Sequence, residues 1–167
     1  MATGYIQFQP QGALLPITGF PILTRHASSG TGLLEAWVLK FADAADNIAF
    51  FQFVVPGNFA SDPVIKLYWM ADVDTVNEVA WEVSLMCATD DADDLDVAAC
   101  DTSVDVDDTT AGVAGEYSIS VHTMTNNDSM AANDFAIIRV MRNGDDGNDD
   151  LSDPALLLMV VFEYTTT

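Results

Sequence analysis

Two stretches of this chain are rich in carboxylates, the side chains that suit a calcium ion. One lies within Thr89–Thr110 and the other within Asn143–Pro154. Calcium takes about six to eight oxygen ligands from adaptable loops. The spacing departs from the EF-hand, because Leu151 stands where that loop needs Gly and Leu157 where it needs a bidentate Glu. Solvated loops are therefore the favoured interpretation, and no cofactor is expected, with calcium as the alternative. The candidate ligands are Asp91, Asp93, Asp96, Asp146, Asn148 and Asp150.

Paired carboxylates can also act as the acid and base of a glycosidase. Glu82 is the best single candidate, because it lies in mid-strand and is predicted to face outward. A general acid needs a raised pKa in a cleft, which exposed acids do not provide. His26 and His122 lack the spacing of a metal site or a nucleophile pair, and glycine-rich phosphate loops are absent. We therefore expect no catalytic residues and no enzyme.

Aromatic side chains offer a third kind of chemistry, a platform on which sugar rings stack. At alternate strand positions such residues are more typical of a hydrophobic core, which is the favoured interpretation. Arg139 and Arg142 are expected to pair with acids of their own chain or of a neighbouring subunit. The aromatic candidates are Tyr5, Trp37, Tyr68, Trp69, Trp81 and Tyr117.

The charge balance limits the possible partners. The 167 residues hold 26 Asp and Glu against five Lys and Arg, for a net charge of −21. Such a field repels phosphate backbones and anionic lipids, so neither nucleic acid nor a membrane is expected as a partner. An acidic proteome in a salt-tolerant source explains the charge equally well.

The N-terminus has no basic segment followed by an apolar run, so no signal peptide is expected. The longest apolar run, Ala155–Phe162, is far shorter than the roughly 20 residues of a membrane helix. Cys87 and Cys100 are the only cysteines. Two buried thiols are favoured, and a disulfide that closes a short loop remains the alternative.

The elements that must position these residues are β-strands. Two long apolar strands, Ile48–Val55 and Val64–Met70, flank a connector rich in Pro, Gly, Asn and Asp. Val79–Cys87 alternates between apolar and mostly polar residues, as in an antiparallel sheet that faces water. The pattern predicts an all-β fold: a single antiparallel, jelly-roll-like β-sandwich of about seven or eight strands. The other predicted strands are Leu33–Phe41, a short one near Leu95–Cys100, Gly115–Thr125, Asp134–Arg142 and Ala155–Tyr164.

The first 32 residues are too apolar for a disordered tail and too interrupted by Pro and Gly for long regular elements. They predict an extended arm that packs on its own sandwich or on a neighbouring subunit, ending in a flexible link at His26–Gly32. We place the sandwich domain at residues 33–167. The predicted partner-binding residues of the arm are Tyr5, Phe8, Leu14, Leu15 and Phe20.

Four segments of the chain resemble β-sandwich virion structural proteins of tailed bacteriophages. They are VVPGNFASDPVIKLYWMAD, VAWEVSL, DFAIIRVMRNGDD and ALLLMVVFEY, within Asn47–Tyr164. The resemblance implies a capsid decoration (cement) protein without catalytic residues. It would form a homotrimer and bind the major capsid protein or other virion subunits. It would be made in the host cytoplasm and reside on the capsid surface. The alternative is a carbohydrate- or receptor-binding β-sandwich module of a phage fibre, with calcium as an optional ligand.

Overall fold

The computed structural model describes residues 2–28, 34–43 and 46–167. These residues form ten β-strands and one short 3-10 turn at Pro10–Gly12; they include no α-helix, and so none long and apolar enough to cross a membrane. The strands form two antiparallel sheets around one core, which confirms the predicted β-sandwich with more strands than expected. The strands are β1 (Thr3–Phe8), β2 (Ile22–Ala27), β3 (Glu35–Phe41), β4 (Asn47–Val54), β5 (Phe59–Met70), β6 (Glu78–Ala88), β7 (Val104–Thr109), β8 (Tyr117–Thr123), β9 (Phe135–Arg142) and β10 (Ala155–Thr166).

Sheet A is organised around β10. Its order is β2-β3-β10-β5-β8, and β1 joins β10 as a sixth strand. β5 pairs along one side of β10, while β3 and then β1 pair along the other. A central position explains why β10 is apolar on both of its faces, as the sequence indicates. Sheet B has the order β4-β9-β6-β7.

Aromatic side chains from both sheets fill the core between them. Trp69 of sheet A and Trp81 of sheet B are fully buried, with ring centroids 5.8 Å apart and an interplanar angle of 67°. Phe41 packs edge-on against Trp81 at 5.1 Å. The indole Nε1 of Trp69 donates to Asp108 Oδ2 (2.6 Å), so a strand of sheet B satisfies a polar atom of sheet A.

The N-terminal segment is part of the sandwich. β1 pairs with β10, β2 pairs with β3, and Leu14 forms an isolated bridge with Phe50 of β4. The arm was predicted to pack either on its own sandwich or on a neighbouring subunit, and in the structure it packs on its own sandwich. The predicted boundary between residues 32 and 33 lies outside the described residues, as does most of the predicted link at His26–Gly32.

The first acidic stretch contains a strand at a different place from the one predicted. Leu95–Cys100 forms turns and irregular chain, and Leu95 and Val97 are exposed. The strand is β7, whose Val104 and Val106 alternate with exposed Asp105 and Asp107. β7 pairs with β6 from Val83↔Val104 to Glu78↔Thr109. The prediction near Leu95–Cys100 was wrong because the alternation of β7 is hidden among its acidic residues.

Candidate functional site

The outer face of sheet A carries apolar side chains where an exposed sheet usually carries polar ones. On β8, Tyr117, Ile119 and Val121 are exposed, while Ser120 and His122, which alternate with them, are buried on the opposite face. An exposed apolar sheet face of this kind is typical of a binding surface. The central strands add apolar side chains to the same face: Tyr68, Leu158 and Met159 are half-buried there, and Val38, Met70, Leu156 and Val161 are buried.

A bulge in β10 shapes the middle of this face. β10 pairs with β3 as far as Leu157 and with β1 from Val160 onward, so Leu158 and Met159 have no partner on that side. On the other side, the register with β5 shifts between Leu157 and Met159. A bulge re-aims side chains, and here both Leu158 and Met159 line the surface between β1 and β3.

Three depressions meet at this bulge and form one branched groove. Their volumes are about 480, 400 and 250 Å³, and Ala36 and Leu158 line all three. The largest is the aromatic part of the groove, lined by Gln7, Ala36, Trp37, Tyr68, Tyr117, Leu158, Met159 and Val161. The second extends past Met70 and Gly115 to His26, Ser28, Leu34 and Glu35. The smallest extends past Trp37 to Gln9, Pro10 and Gln11.

The aromatic part of the groove offers flat apolar surface with a few polar groups beside it. Trp37 and Tyr117 are 44% and 61% exposed. The rings of Tyr68 and Tyr117 have centroids 6.1 Å apart and are inclined by 31°. Gln7, Gln9 and Gln11 add amide donors and acceptors at the side of β1. Apolar walls with a few hydrogen-bonding groups are characteristic of small-molecule binding sites.

The aromatic residues predicted as a sugar-stacking platform lie in two different places in the structure. Trp69 and Trp81 belong to the core, as the favoured interpretation predicts, whereas Trp37, Tyr68 and Tyr117 line the groove. Sequence reasoning missed the other residues of the aromatic part of the groove, Gln7, Ala36, Leu158, Met159 and Val161. The apolar character of both faces of β10 is the one sequence signal that pointed to Leu158, Met159 and Val161, and Gln7 and Ala36 carried none.

The first acidic loop uses two of its carboxylates, one of them the predicted calcium ligand Asp93, to hold its own backbone. Asp93 accepts a hydrogen bond from the Thr89 amide (2.8 Å), and Asp94 accepts one from the Asp96 amide (3.0 Å). Asp91 has a positive φ of 56°, a turn conformation that Asp tolerates.

The second acidic loop closes on the sandwich in the same way. Asp146 accepts from the Asn148 amide (2.8 Å), Asp150 from the Glu78 amide (2.6 Å), and Asn148 Nδ2 donates to Asp107 (2.7 Å). In the part of the chain that the structure describes, no three His, Cys, Asp or Glu side chains are grouped to hold a metal ion. Calcium binding therefore remains the untested alternative to solvated loops, and the geometry adds no support for it.

Glu82 lies on the outer face of sheet B, outside the groove. Its Oε1 accepts from Asn143 Nδ2 (2.7 Å), and its Oε2 lies 3.9 Å from Arg139 Nη1. Arg142 is buried and binds Asp149 (2.6 Å), so both arginines pair with acids of their own chain. His26 lies 3.4 Å from Asp72, whereas His122 is buried with hydrogen bonds to Ser120 and the Val104 carbonyl.

Cys87 and Cys100 are both free and partly buried. Burial raises the pKa of the Cys87 thiol to about 12, with smaller contributions from the charges of Asp128 and Asp134. Burial also raises the pKa of Cys100. Thiols of this kind are poor nucleophiles at neutral pH.

The predicted partner-binding residues of the arm lie in different environments. Phe8 packs into the core, 5.8 Å from Phe51 and 5.4 Å from Phe53 between ring centroids. Tyr5, Leu14, Leu15 and Phe20 are exposed. These five residues therefore do not form one continuous surface.

No protein-family model and no curated protein matches this sequence. Among solved structures, the chain is similar to a family 35 carbohydrate-binding module from Clostridium thermocellum, at 10% identity over 95% of this chain and 97% of the module, with a TM-score of 0.52. It is similar to the CBM22-1 xylan-binding domain of Paenibacillus barcinonensis Xyn10C, at 6% identity over 97% and 94% of the two chains, with a TM-score of 0.53. It is also similar to TmCBM27, a carbohydrate-binding module that recognises mannan, at 9% identity over 99% and 100%, with a TM-score of 0.52.

Another match is a longer protein. The chain spans 29% of the length of an exo-beta-1,3-galactanase from Phanerochaete chrysosporium, at 13% identity over 95% of this chain and a TM-score of 0.49. At such identities, the matches with TM-scores above 0.5 show a shared fold, the jelly-roll sandwich of carbohydrate-binding modules.

These matches correct the resemblance drawn from the sequence. The four segments that resemble phage virion proteins lie in a sandwich whose structural neighbours are carbohydrate-binding modules, so the assignment to capsid decoration proteins was wrong. Loose apolar strand patterns recur in unrelated sandwiches, because every such sheet needs a buried face. The predicted homotrimer, capsid partner and virion location rest on that resemblance.

Proposed function

We propose that this protein is a carbohydrate-binding module that holds its ligand in the groove on the outer face of sheet A. The observation that carries the proposal is the aromatic part of the groove, where the rings of Tyr68 and Tyr117 lie side by side and Trp37 completes the lining. The apolar faces of sugar rings carry C–H groups that pack against such side chains, while the hydroxyl groups at their edges need hydrogen-bonding partners. Gln7, Gln9 and Gln11 offer those partners.

The shape of the groove supports the binding of a chain rather than a single sugar. The depressions meet at Ala36 and Leu158, and they extend from there in different directions. A polymer can therefore lie across the sheet with several residues in contact. The shared fold with carbohydrate-binding modules supports the same proposal, and Glu82, held by Asn143 outside the groove, gives no support to a cleavage reaction.

Binding to soluble polysaccharides tests this proposal. Xylan and mannan are the first probes, because similar modules bind them, and calorimetry or affinity electrophoresis with a wider glycan panel follows. We expect Tyr117→Ala and Tyr68→Ala each to weaken binding by about tenfold, because each removes a ring from the groove. Phe20→Ala is the matched control, since Phe20 is an exposed aromatic that lines none of the three depressions.

Two results would count against this function. One is the absence of binding across the panel. The other is binding that Tyr117→Ala and Phe20→Ala reduce equally, which would place the ligand elsewhere. Reducing sugars released from the bound polysaccharide would show that the chain cleaves its ligand as well as binding it.

A further inference from the structure

The aromatic part of the groove is uncharged although the protein is strongly acidic. The chain carries a net charge of −21, yet none of the eight residues that line this depression is ionisable at neutral pH. The depression toward Gln9 and Gln11 has no charged residue either, and Glu35 and His26 line only the second depression. Where the ligand is proposed to stack, the groove therefore offers neither an anion to bind cations nor a cation to bind anions.

Two cations on strands that border the groove are paired with acids of the protein. Lys66 lies directly across from the groove residue Val161 in the β5–β10 pairing, and its Nζ donates to Glu163 Oε2 (2.6 Å). Arg25, which pairs with Trp37 in the β2–β3 ladder, binds Glu35 (2.8 Å). Lys40 is exposed on β3 and lines none of the three depressions.

Two unfavourable free-energy terms oppose the binding of an anionic ligand in this groove. An anion that leaves water needs a compensating charge or hydrogen bonds, and the Lys66 and Arg25 side chains are already paired with Glu163 and Glu35. The summed negative charge of the protein also repels an anionic polymer as it approaches. A neutral polysaccharide meets neither cost.

We infer that the groove takes uncharged polysaccharides and rejects chains that carry carboxylate or sulfate groups. This inference rests on the proposed function and names its ligand class. Glu163 acts here as a specificity residue, because it keeps the Lys66 ammonium from binding an anion beside Val161 and Tyr68.

Matched ligands test this selectivity. Mannan is compared with a carboxymethylated mannan of low substitution, and xylan with a glucuronate-bearing xylan, at low and at moderate ionic strength. In each pair that shows binding, we expect the protein to bind the uncharged polysaccharide about tenfold more tightly than the charged one at low salt. The difference should shrink at moderate salt, because salt screens the repulsion. The affinity for the uncharged polysaccharide should hardly change with salt.

Two variants test the role of Glu163. Glu163→Gln unpairs Lys66 and should raise the affinity for the charged chain by about threefold to fivefold, with little change for the neutral one. Glu82→Gln is the control, because it removes the same charge from sheet B, away from the groove.

Equal or tighter binding of the charged chains by the unaltered protein would overturn the inference and leave the proposed function intact. Failure of every neutral and charged glycan to bind would overturn the proposed function itself.

Discussion

At the scale of single residues, Arg142 joins the second acidic loop to the sandwich. Its guanidinium is fully buried, binds both carboxylate oxygens of Asp149, and donates to the backbone carbonyls of Phe41, Leu151 and Asp153. Arg142→Met leaves Asp149 as an uncompensated buried charge, so we expect the free energy of unfolding to fall by about 3–5 kcal/mol. Urea denaturation measures the change.

The matched control for this prediction is Arg25→Met. Arg25 forms an ion pair of similar length with Glu35, but both side chains are more than half exposed. Exposed pairs contribute about 0–1 kcal/mol, so this variant should unfold almost as the unaltered protein does. Equal losses in the two variants would show that burial does not set the strength of the Arg142 contacts.

His122 links the stability of the β7–β8 region to pH. Burial lowers the pKa of His122; the bond to the Val104 carbonyl and the charges of Asp108 and Asp105 oppose this effect less strongly. Because the folded pKa lies below the unfolded value of about 6.5, the unfolded chain binds the proton first. The contribution of His122 is therefore present above about pH 6.5 and is lost as the pH falls toward the lower folded pKa.

Urea denaturation between about pH 7 and pH 5 tests this effect. We expect His122→Gln to be less stable at pH 7 but to lose less of its remaining stability on acidification. His26→Gln reports any contribution from the second histidine. An identical pH slope in His122→Gln and the unaltered protein would contradict the prediction.

At the scale of elements, the contact between β1 and β10 depends on one glycine. Gly4 pairs with Tyr164, and a Cβ on Gly4 would overlap the Tyr164 ring. The ring thus covers the glycine across the strands, an arrangement that stabilises a glycine within a sheet. Gly4→Ala must displace Tyr164, whose hydroxyl donates to Asn58 (3.1 Å), or move β1.

We expect Gly4→Ala to lower the free energy of unfolding by about 1–3 kcal/mol, the usual cost of overpacking. Because β1 carries Gln7, ligand binding should weaken as well. Gly12→Ala is the control, since nothing lies within 4 Å of a Cβ at that position. Thermal unfolding followed by near-UV circular dichroism reports both stability and the packing of the aromatic side chains, Tyr164 among them. Unchanged stability and spectrum in Gly4→Ala would contradict the close contact.

The sequence predicted those elements whose own residues carry a clear pattern. β6 was found because Val79, Trp81, Val83 and Leu85 alternate with less apolar residues, as burial of one face requires. β7 was missed because Asp105 and Asp107 mask its two valines. The groove could not be predicted, because it depends on the pairing of β1 and β3 along one side of β10 and on the bulge at Leu158 and Met159. Such register between segments distant in sequence leaves no local signal.

At the scale of the whole molecule, the net charge of −21 makes stability depend on salt. Like charges in a compact structure repel each other, and unfolding moves them apart. The screening length falls from about 30 Å at 0.01 M salt to about 8 Å at 0.15 M. We therefore expect the melting temperature to rise across this range in NaCl, as measured by differential scanning calorimetry. A constant melting temperature would show that the acidic loops hold their charges far enough apart to avoid repulsion.

Calcium can stabilise the same molecule by screening its charges or by binding at a specific site, and the two effects need different calcium concentrations. In the presence of about 0.15 M NaCl, about 1 mM CaCl2 adds almost no ionic strength, so screening predicts no further rise in melting temperature. Binding at one of the acidic loops would stabilise the folded state as the ratio of calcium to its dissociation constant grows. Because Asp93, Asp146 and Asp150 already accept backbone amides, we expect no rise, and MgCl2 at the same concentration serves as the control. A rise with calcium alone would mean that these loops exchange their internal hydrogen bonds for a metal ion.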